Sequence, residues 1–459
     1  MAEVQHQTAG DMIRLRRQRL KHYLTRAEHL PAGLMASTGW MTYSYLVGFT
    51  VQGLYFVILA RVLGPAHLGV FAGALALVDI LAPFAGVGSG NVLVMRSARN
   101  SSEYSDALGT ALIYLGVSAV LMLGACYTAC RAADPALSGI LLPLGLSELI
   151  SLRLVDLAAQ AYQAHDRIRG SAHINVGAAA VRLGGVGLFV VVSLAHRGSV
   201  LNWCWFYSAS SATAALLSMG WTLSRFGGPR CSLASLRKTW RRGAFFALGT
   251  SSKTVYVDID KFMLLQIGTA TAAGIYTAAY RLVAMAFAPI QALVYASNTA
   301  MFREGARGAR CSFRLVRRLS PLVVGCGATA SILLIAGSPL VSVVLGRSYS
   351  TSDEALRWLA FMPTIQGLHY LLGDTLMGLD RQAIRSLLQC VTAGLNVGLN
   401  LFLIPAWSWR GAAVATYLGE GSLVLTSLLV FWVFVRRDRN GGDNEPTEVA
   451  LKPGAELGP

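Results

Sequence analysis

Charge is what this sequence has least of. Only 14% of its 459 residues are Asp, Glu, Lys or Arg, against roughly 25% in an average soluble domain. Acids are the scarcer sign, at 23 Asp+Glu to 39 Lys+Arg. A soluble chain of this length would need a charged surface that these numbers do not supply. The seven cysteines include no spaced ligand set with histidines, so neither a metal nor a disulfide is expected, and no cofactor. Cys126 and Cys130 stand one helical turn apart and read as small packing residues. Residues 1–39 are polar and basic, with no short apolar run near Met1, so no cleavable signal peptide is expected.

Long apolar stretches fill the rest. Hydrophobic residues make up 54% of the chain, gathered into runs of about 20, enough to cross a hydrocarbon core ~30 Å thick as helix. Twelve spans are expected at about 40–60, 68–92, 105–130, 138–162, 172–195, 201–222, 243–267, 271–300, 319–345, 354–378, 386–405 and 411–435. They must be helices, because an isolated strand leaves backbone groups unpaired in lipid and the alternating segments of a barrel are absent.

The net charge of +16 lies between the spans, not along one soluble face, which argues against nucleic acid as partner. Assigned to alternate loops, 28 of the 39 Lys and Arg fall on one side, six on the other and five inside spans. This bias places both tails in the cytoplasm. All nine tryptophans fall near expected span ends, where an indole favours the headgroup region. The amino tail, with Met12, Ile13, Leu20 and Leu24 among its arginines, reads as an interfacial helix or as a disordered basic tail.

An internal repeat divides the chain. Residues 162–191 align with 376–405 at an offset of 214, pairing Asp166-Arg167 with Asp380-Arg381; Gly64, Gly69 and Pro83 recur as Gly268, Gly274 and Pro289. The organisation expected is a basic tail (1–39), a six-helix bundle (40–222), a basic linker (223–242), a second six-helix bundle (243–435) and a carboxyl tail (436–459). An even number of spans per half makes the repeats parallel. The fold class is therefore an all-α polytopic membrane protein, with about twelve transmembrane helices in two pseudo-symmetric bundles around a central cavity.

Twelve ionisable groups fall inside the spans: the bases Arg153, Arg182, Lys253, Lys261 and Arg281, and the acids Asp79, Glu148, Asp156, Asp258, Asp260, Asp374 and Glu420. Each costs several kcal/mol unless it faces protein or water. Some can pair at helical spacing, as Arg153 with Asp156 and Lys261 with Asp258. Fastening helices by ion pairs is one reading of the set; lining a polar cavity is the other, and the number of charges favours it. Arg182 and Arg281 have no acid within one turn and suit phosphate contacts. Asp79, Asp156, Asp258, Asp260 and Glu420 are the ion-coupling or charge-pairing candidates, for a proton or sodium ion.

Three stretches resemble bacterial polysaccharide exporters, the O-antigen and lipid-linked oligosaccharide flippases of the multidrug/oligosaccharidyl-lipid/polysaccharide exporter superfamily. They are ARVLGPAHLGVFAGALAL (60–77), VDIDKFMLLQIGTATAAGIYTAAYRLV (257–283) and NVGLNLFLIPAWSWRGAAVATYLGE (396–420). The first match loosens at 86–96, before Arg96. The resemblance implies a flippase, not an enzyme, in the bacterial inner membrane. Its cargo would be an undecaprenyl-pyrophosphate-linked repeat unit, with Arg153, Arg182, Lys253, Lys261 and Arg281 as headgroup contacts. It also implies membrane lipid and other polysaccharide-assembly membrane proteins as partners. The alternatives are a cation-coupled multidrug exporter, a flippase for lipid-linked peptidoglycan precursors, and a membrane-integral sugar polymerase or ligase. The last would need a sizeable extracytoplasmic loop, and these run only about five to ten residues.

Overall fold

The computed structural model describes residues 32–133, 135–195, 199–230, 247, 251 and 253–440. The interfacial helix expected in the amino tail, most of the basic linker, and the carboxyl tail past 440 lie outside the described residues.

Every described element is a helix. α1 (Ala32–Leu81) is two helices that meet at Gly64 (φ 70°, ψ 170°), a left-handed position that glycine adopts without a Cβ clash. Pro65 then starts the second piece, where a missing N–H does no harm. A 3₁₀ turn around Pro83 ends α1, and α2 (Ser89–Arg99) completes that crossing. α3 (Tyr104–Ala133) is followed by α4 (Pro135–Gly145), a π-helical turn (Leu146–Ser151) and α5 (Leu152–Ala164). α6 (Ile168–Ala195) and α7 (Val200–Phe226) close the first half; the Ser199 side chain caps α7 by accepting from the Asn202 N–H at 3.1 Å.

The second half holds α8 (253–267), α9 (Ala270–Ala296), α10 (Asn298–Gly305), α11 (Ala309–Gly337) and α12 (Leu340–Leu345). α13 (Ser350–Leu359), α14 (Met362–Gly378), α15 (Gln382–Trp407) and α16 (Trp409–Asn440) follow. Thr269 caps α9 as Ser199 caps α7, accepting from the Ala272 N–H at 3.1 Å. Among the described residues, seven helices are long and apolar enough to cross a membrane, the first of them 38 residues long and containing the Gly64 break. With the interrupted helices joined, the described helices are compatible with about the twelve crossings expected of an all-α polytopic membrane protein in two pseudo-symmetric bundles.

The repeat is visible in backbone detail. Asp166 (φ 58°) and Asp380 (φ 60°) are both left-handed. In the first turn the Arg167 N–H donates to the Tyr162 carbonyl at 2.8 Å; in the second the Arg381 N–H donates to the Leu376 carbonyl at 3.0 Å. Donors and acceptors are each 214 residues apart, the offset expected from sequence.

The halves meet along α1 and α9. A Cβ placed on Gly69 would sit 1.8 Å from the Ala270 carbonyl oxygen, and one on Gly274 would sit 1.8 Å from that of Pro65. Further contacts lie nearby. Arg61 donates from Nε to the Val344 carbonyl (2.6 Å) and from Nη2 to that of Val343 (2.7 Å), at the end of α12. The buried Tyr349 hydroxyl donates to the Ala60 carbonyl at 3.0 Å. Burial pushes that phenol above its ordinary pKa, so it stays a donor at any ordinary pH.

The tryptophans divide. Trp205, Trp221, Trp358, Trp407 and Trp432 are exposed, as interface residues should be, whereas Trp409 is buried and Trp203 fully so; Trp203 sits deepest. Its indole packs on Tyr55, Phe71, Phe189 and Tyr207 at centroid distances of 5.2 to 5.9 Å. It belongs to the core of the first half, not to a headgroup belt.

Candidate functional site

A cavity of about 410 Å³ lies between the halves. The first half contributes Tyr55 and Asp79 from α1, Asn175 and Arg182 from α6, and Tyr207 from α7. The second contributes Asp258 and Lys261 from α8 and Thr277 and Arg281 from α9. Helical spacing aims them together: Asn175, Ala179 and Arg182 follow i, i+4, i+7, Thr277 and Arg281 follow i, i+4, and Asp258 and Lys261 follow i, i+3, each set on one face.

Of the five bases expected at the site, the structure brings Arg182, Lys261 and Arg281 into this cavity and leaves two elsewhere. Arg153 pairs with Asp156 at 3.0 Å, as their spacing suggested, and both line a separate pocket of about 130 Å³ beside Pro83 and Gln160. Lys253 lies over the Tyr370 ring, 4.9 Å from its centroid. It starts α8 two turns before Lys261, about 12 Å along the axis, which puts it at another depth and against α14.

The acids divide similarly. Asp79 and Asp258 line the cavity. Asp258 pairs with Lys261, whose ammonium also lies 4.8 Å from the centre of the Tyr280 ring. Asp260 is fully buried, accepting from the Tyr276 hydroxyl at 2.5 Å and the Thr416 hydroxyl at 3.1 Å. Glu420 is buried against His369. Asp374 pairs with Arg385 at 2.8 Å; that arginine, counted from sequence among loop cations, reaches back onto α14.

Neither Arg182 nor Arg281 enters an ion pair among the described residues. Arg182 lies against the Tyr207 hydroxyl, which donates to Glu148 Oε1 at 2.5 Å. Glu148 sits, buried, in the π-helical turn, a feature frequent at functional sites. Tyr207 is a site residue that sequence reading missed, since a tyrosine among apolar residues in a span gives no signal of its own. The cavity thus offers three cations and two carboxylates, one of each already paired. The two arginines outside these ion pairs present guanidinium forks, which match phosphate geometry.

The sequence matches the model of the family described as "Polysaccharide biosynthesis protein" over residues 34–302. The chain belongs to this family. It is 20% identical over 377 residues to the probable low-salt glycan biosynthesis flippase Agl15 of Haloferax volcanii, covering 81% of this chain and 78% of that protein. Its fold is that of MOP superfamily transporters. An inward-facing multidrug resistance MATE family transporter of that superfamily superposes with a TM-score of 0.67 at 15% identity, covering 84% of this chain and 96% of the other. An outward-facing one gives 0.63 at 15% identity, covering 88% and 96%. A MOP superfamily transporter from Pyrococcus furiosus, described as having a binding pocket of reverse polarity, gives 0.62 at 15% identity, covering 87% and 96%. The comparisons thus give this chain its family and show that it shares its fold with these transporters.

Proposed function

We propose that this protein is a flippase for lipid-linked oligosaccharide, carrying an undecaprenyl-pyrophosphate-linked repeat unit across the cytoplasmic membrane by alternating access. The observation that carries the reading is the convergence of Arg182, Lys261 and Arg281, from both halves, on one cavity, with both arginines free of ion pairs. A volume of about 410 Å³ falls within the roughly 300–1,000 Å³ of ordinary small-molecule sites. It suits a pyrophosphate and its first sugars, with the prenyl chain left in lipid. The glycan flippase relative supports the same cargo class, and no step of the reaction requires covalent chemistry.

In this reading both tails face the cytoplasm of a bacterial inner membrane, and the halves, residues 40–222 and 243–435, rock against each other, closed on the outer side at the α1–α9 contact. Arg61 and Tyr349 lie on the side with few positive loops, so their contacts act as the outer gate. The two carboxylates, Asp79 and Asp258, favour a second reading, a cation-coupled multidrug exporter. The unpaired arginines oppose it, because they repel a cationic drug.

Replacing Arg182 or Arg281 with alanine, in a host that depends on this protein, should abolish surface polysaccharide at normal protein levels. Undiminished polysaccharide would refute the assignment, and export of cationic dyes by the wild type would favour the second reading.

A further inference from the structure

We infer that the basic elbow between α10 and α11 binds anionic phospholipid headgroups at the membrane surface and so ties the second half to a charged leaflet. The site lies outside the cavity. Of the transport reading it uses only the topology, which puts this end of the protein in the cytoplasm.

Six arginines crowd residues 303–318: Arg303 and Arg307 in and just after α10, and Arg310, Arg314, Arg317 and Arg318 on α11. All six are exposed. The one acid among them, Glu304, serves the first two, its Oε1 lying 3.1 Å from Arg307 Nη1 and 3.8 Å from Arg303 Nε. The four on α11 enter no ion pair among the described residues; Arg314 donates to the Cys311 sulfur at 3.3 Å. Their spacing of i, i+4, i+7 and i+8 sets them on one face, along about 12 Å of helix. Guanidinium groups held that close repel one another, and a phosphate both relieves the repulsion and matches the fork.

The rest of the helix decides what carries the phosphate. The same face continues past Pro321 as Val324, Ile332 and Ile335, all exposed, in a helix apolar enough to cross a membrane. Hydrocarbon therefore begins just beyond Arg318, and the arginines stand at headgroup depth, where their stems lie along apolar surface and their heads reach phosphate. Exposed Phe313, between Arg310 and Arg317 on that face, suits the same boundary. An occupant must then be amphiphilic, with its anion at the arginines and its tails beside Val324 and Ile332. A nucleic acid or an acidic protein has nothing to match the apolar part. No residue of α10 or α11 lines the cavity, which favours resident phospholipid over cargo on its way through.

The fold itself does not demand these charges. α11 starts at Ala309 and α3 at Tyr104, the 205-residue offset that relates Gly274 to Gly69. At that offset Arg310, Arg314, Arg317 and Arg318 correspond to Ser105, Gly109, Leu112 and Ile113, so the equivalent helix start in the first half carries no base. The patch is also firmly mounted. A Cβ on Gly305 would lie 2.1 Å from the Gly378 carbonyl oxygen, and one on Gly327 would lie 2.5 Å from the Thr364 hydroxyl oxygen, which seats both α10 and α11 on α14. Headgroups bound at the elbow thus hold the second half as a body, and the first half has no matching hold at its equivalent helix.

The test titrates the purified full chain in detergent with phosphatidylglycerol, and with phosphatidylcholine as the neutral control, counting bound lipid by native mass spectrometry. Wild type should prefer phosphatidylglycerol. Replacing Arg310, Arg314 and Arg317 together with glutamine should weaken its binding at least about tenfold, whereas lysine at the same positions, which keeps the charge, should retain most of it. Arg167→Gln with Arg225→Gln, two exposed arginines of the first half, should leave the affinity within about twofold of wild type. Equal binding of the two lipids, an undiminished affinity in the glutamine variant, or an equal loss in the first-half control overturns the site. A loss in the lysine variant as large as in the glutamine variant overturns it too, since it marks a damaged helix. So do displacement of phosphatidylglycerol by undecaprenyl pyrophosphate, which would make the patch a cargo site, and binding that appears only after residues 441–459 are removed, which would assign it to the carboxyl tail. The titration needs no cargo, so its failure leaves the flippase reading standing, and failure of that reading leaves the lipid site standing.

Discussion

Gly69 and Gly274 are mates across the pseudo-two-fold axis: each is where its helix touches the backbone of the other half, at the Ala270 and Pro65 carbonyls respectively. The partners obey the same symmetry, since Pro65 and Ala270 are separated by the same 205 residues as the glycines. Such reciprocity is what a two-fold contact between like surfaces requires.

Substituting alanine at either glycine pushes a methyl into a carbonyl oxygen that belongs to a helix backbone and has little room to yield. Each change should destabilise the closed contact by about 1–3 kcal/mol. The two should be non-additive, because they strain one interface. Thermal unfolding of the purified single and double variants measures this, and additive or negligible shifts would contradict a shared contact.

Arg61 and Tyr349 fasten the halves at the same end, so weakening them should favour opening there. Arg61→Gln and Tyr349→Phe each remove hydrogen bonds worth about 0.5–1.5 kcal/mol apiece. A cysteine placed at Thr277 in the cavity should then react faster with an impermeant maleimide added outside the cell. An unchanged rate would show that these contacts do not gate the cavity.

Arginine and lysine should differ at position 281. Lysine keeps the charge but loses the planar fork, so Arg281→Lys should bind undecaprenyl pyrophosphate more weakly than wild type and more tightly than Arg281→Ala. Full rescue by lysine would reduce Arg281 to a point charge.

Lys253 separates the cavity reading from a general requirement for intramembrane charge. It packs on Tyr370 outside the cavity, so Lys253→Met should leave undecaprenyl pyrophosphate affinity within about threefold of wild type, a change under about 1 kcal/mol. A loss matching that of Arg182→Ala would return Lys253 to the site.

Hydropathy made the crossings legible because lipid requires continuous apolar helix. Expected spans 105–130, 172–195 and 201–222 correspond to Tyr104–Ala133, Ile168–Ala195 and Val200–Phe226. The interruptions were less legible. Pro83 announces the break after Leu81, but nothing in Leu146–Ser151 announces a π-helical turn. Charges within one helix could be paired from spacing, as Arg153–Asp156 and Asp258–Lys261 were. Pairs between helices, such as Asp374–Arg385 and His369–Glu420, depend on packing angles that sequence does not carry. The same limit explains why Lys253 and Lys261, on one helix, could not be assigned to different surroundings before the neighbouring helices were placed.

The most direct measurement is equilibrium binding of undecaprenyl pyrophosphate to the purified protein, with undecaprenol as the uncharged control. Preference for the pyrophosphate, lost at least about tenfold in both Arg182→Ala and Arg281→Ala, is the result expected of a cationic headgroup cavity. Equal binding of the two lipids, or wild-type affinity in both variants, would contradict it.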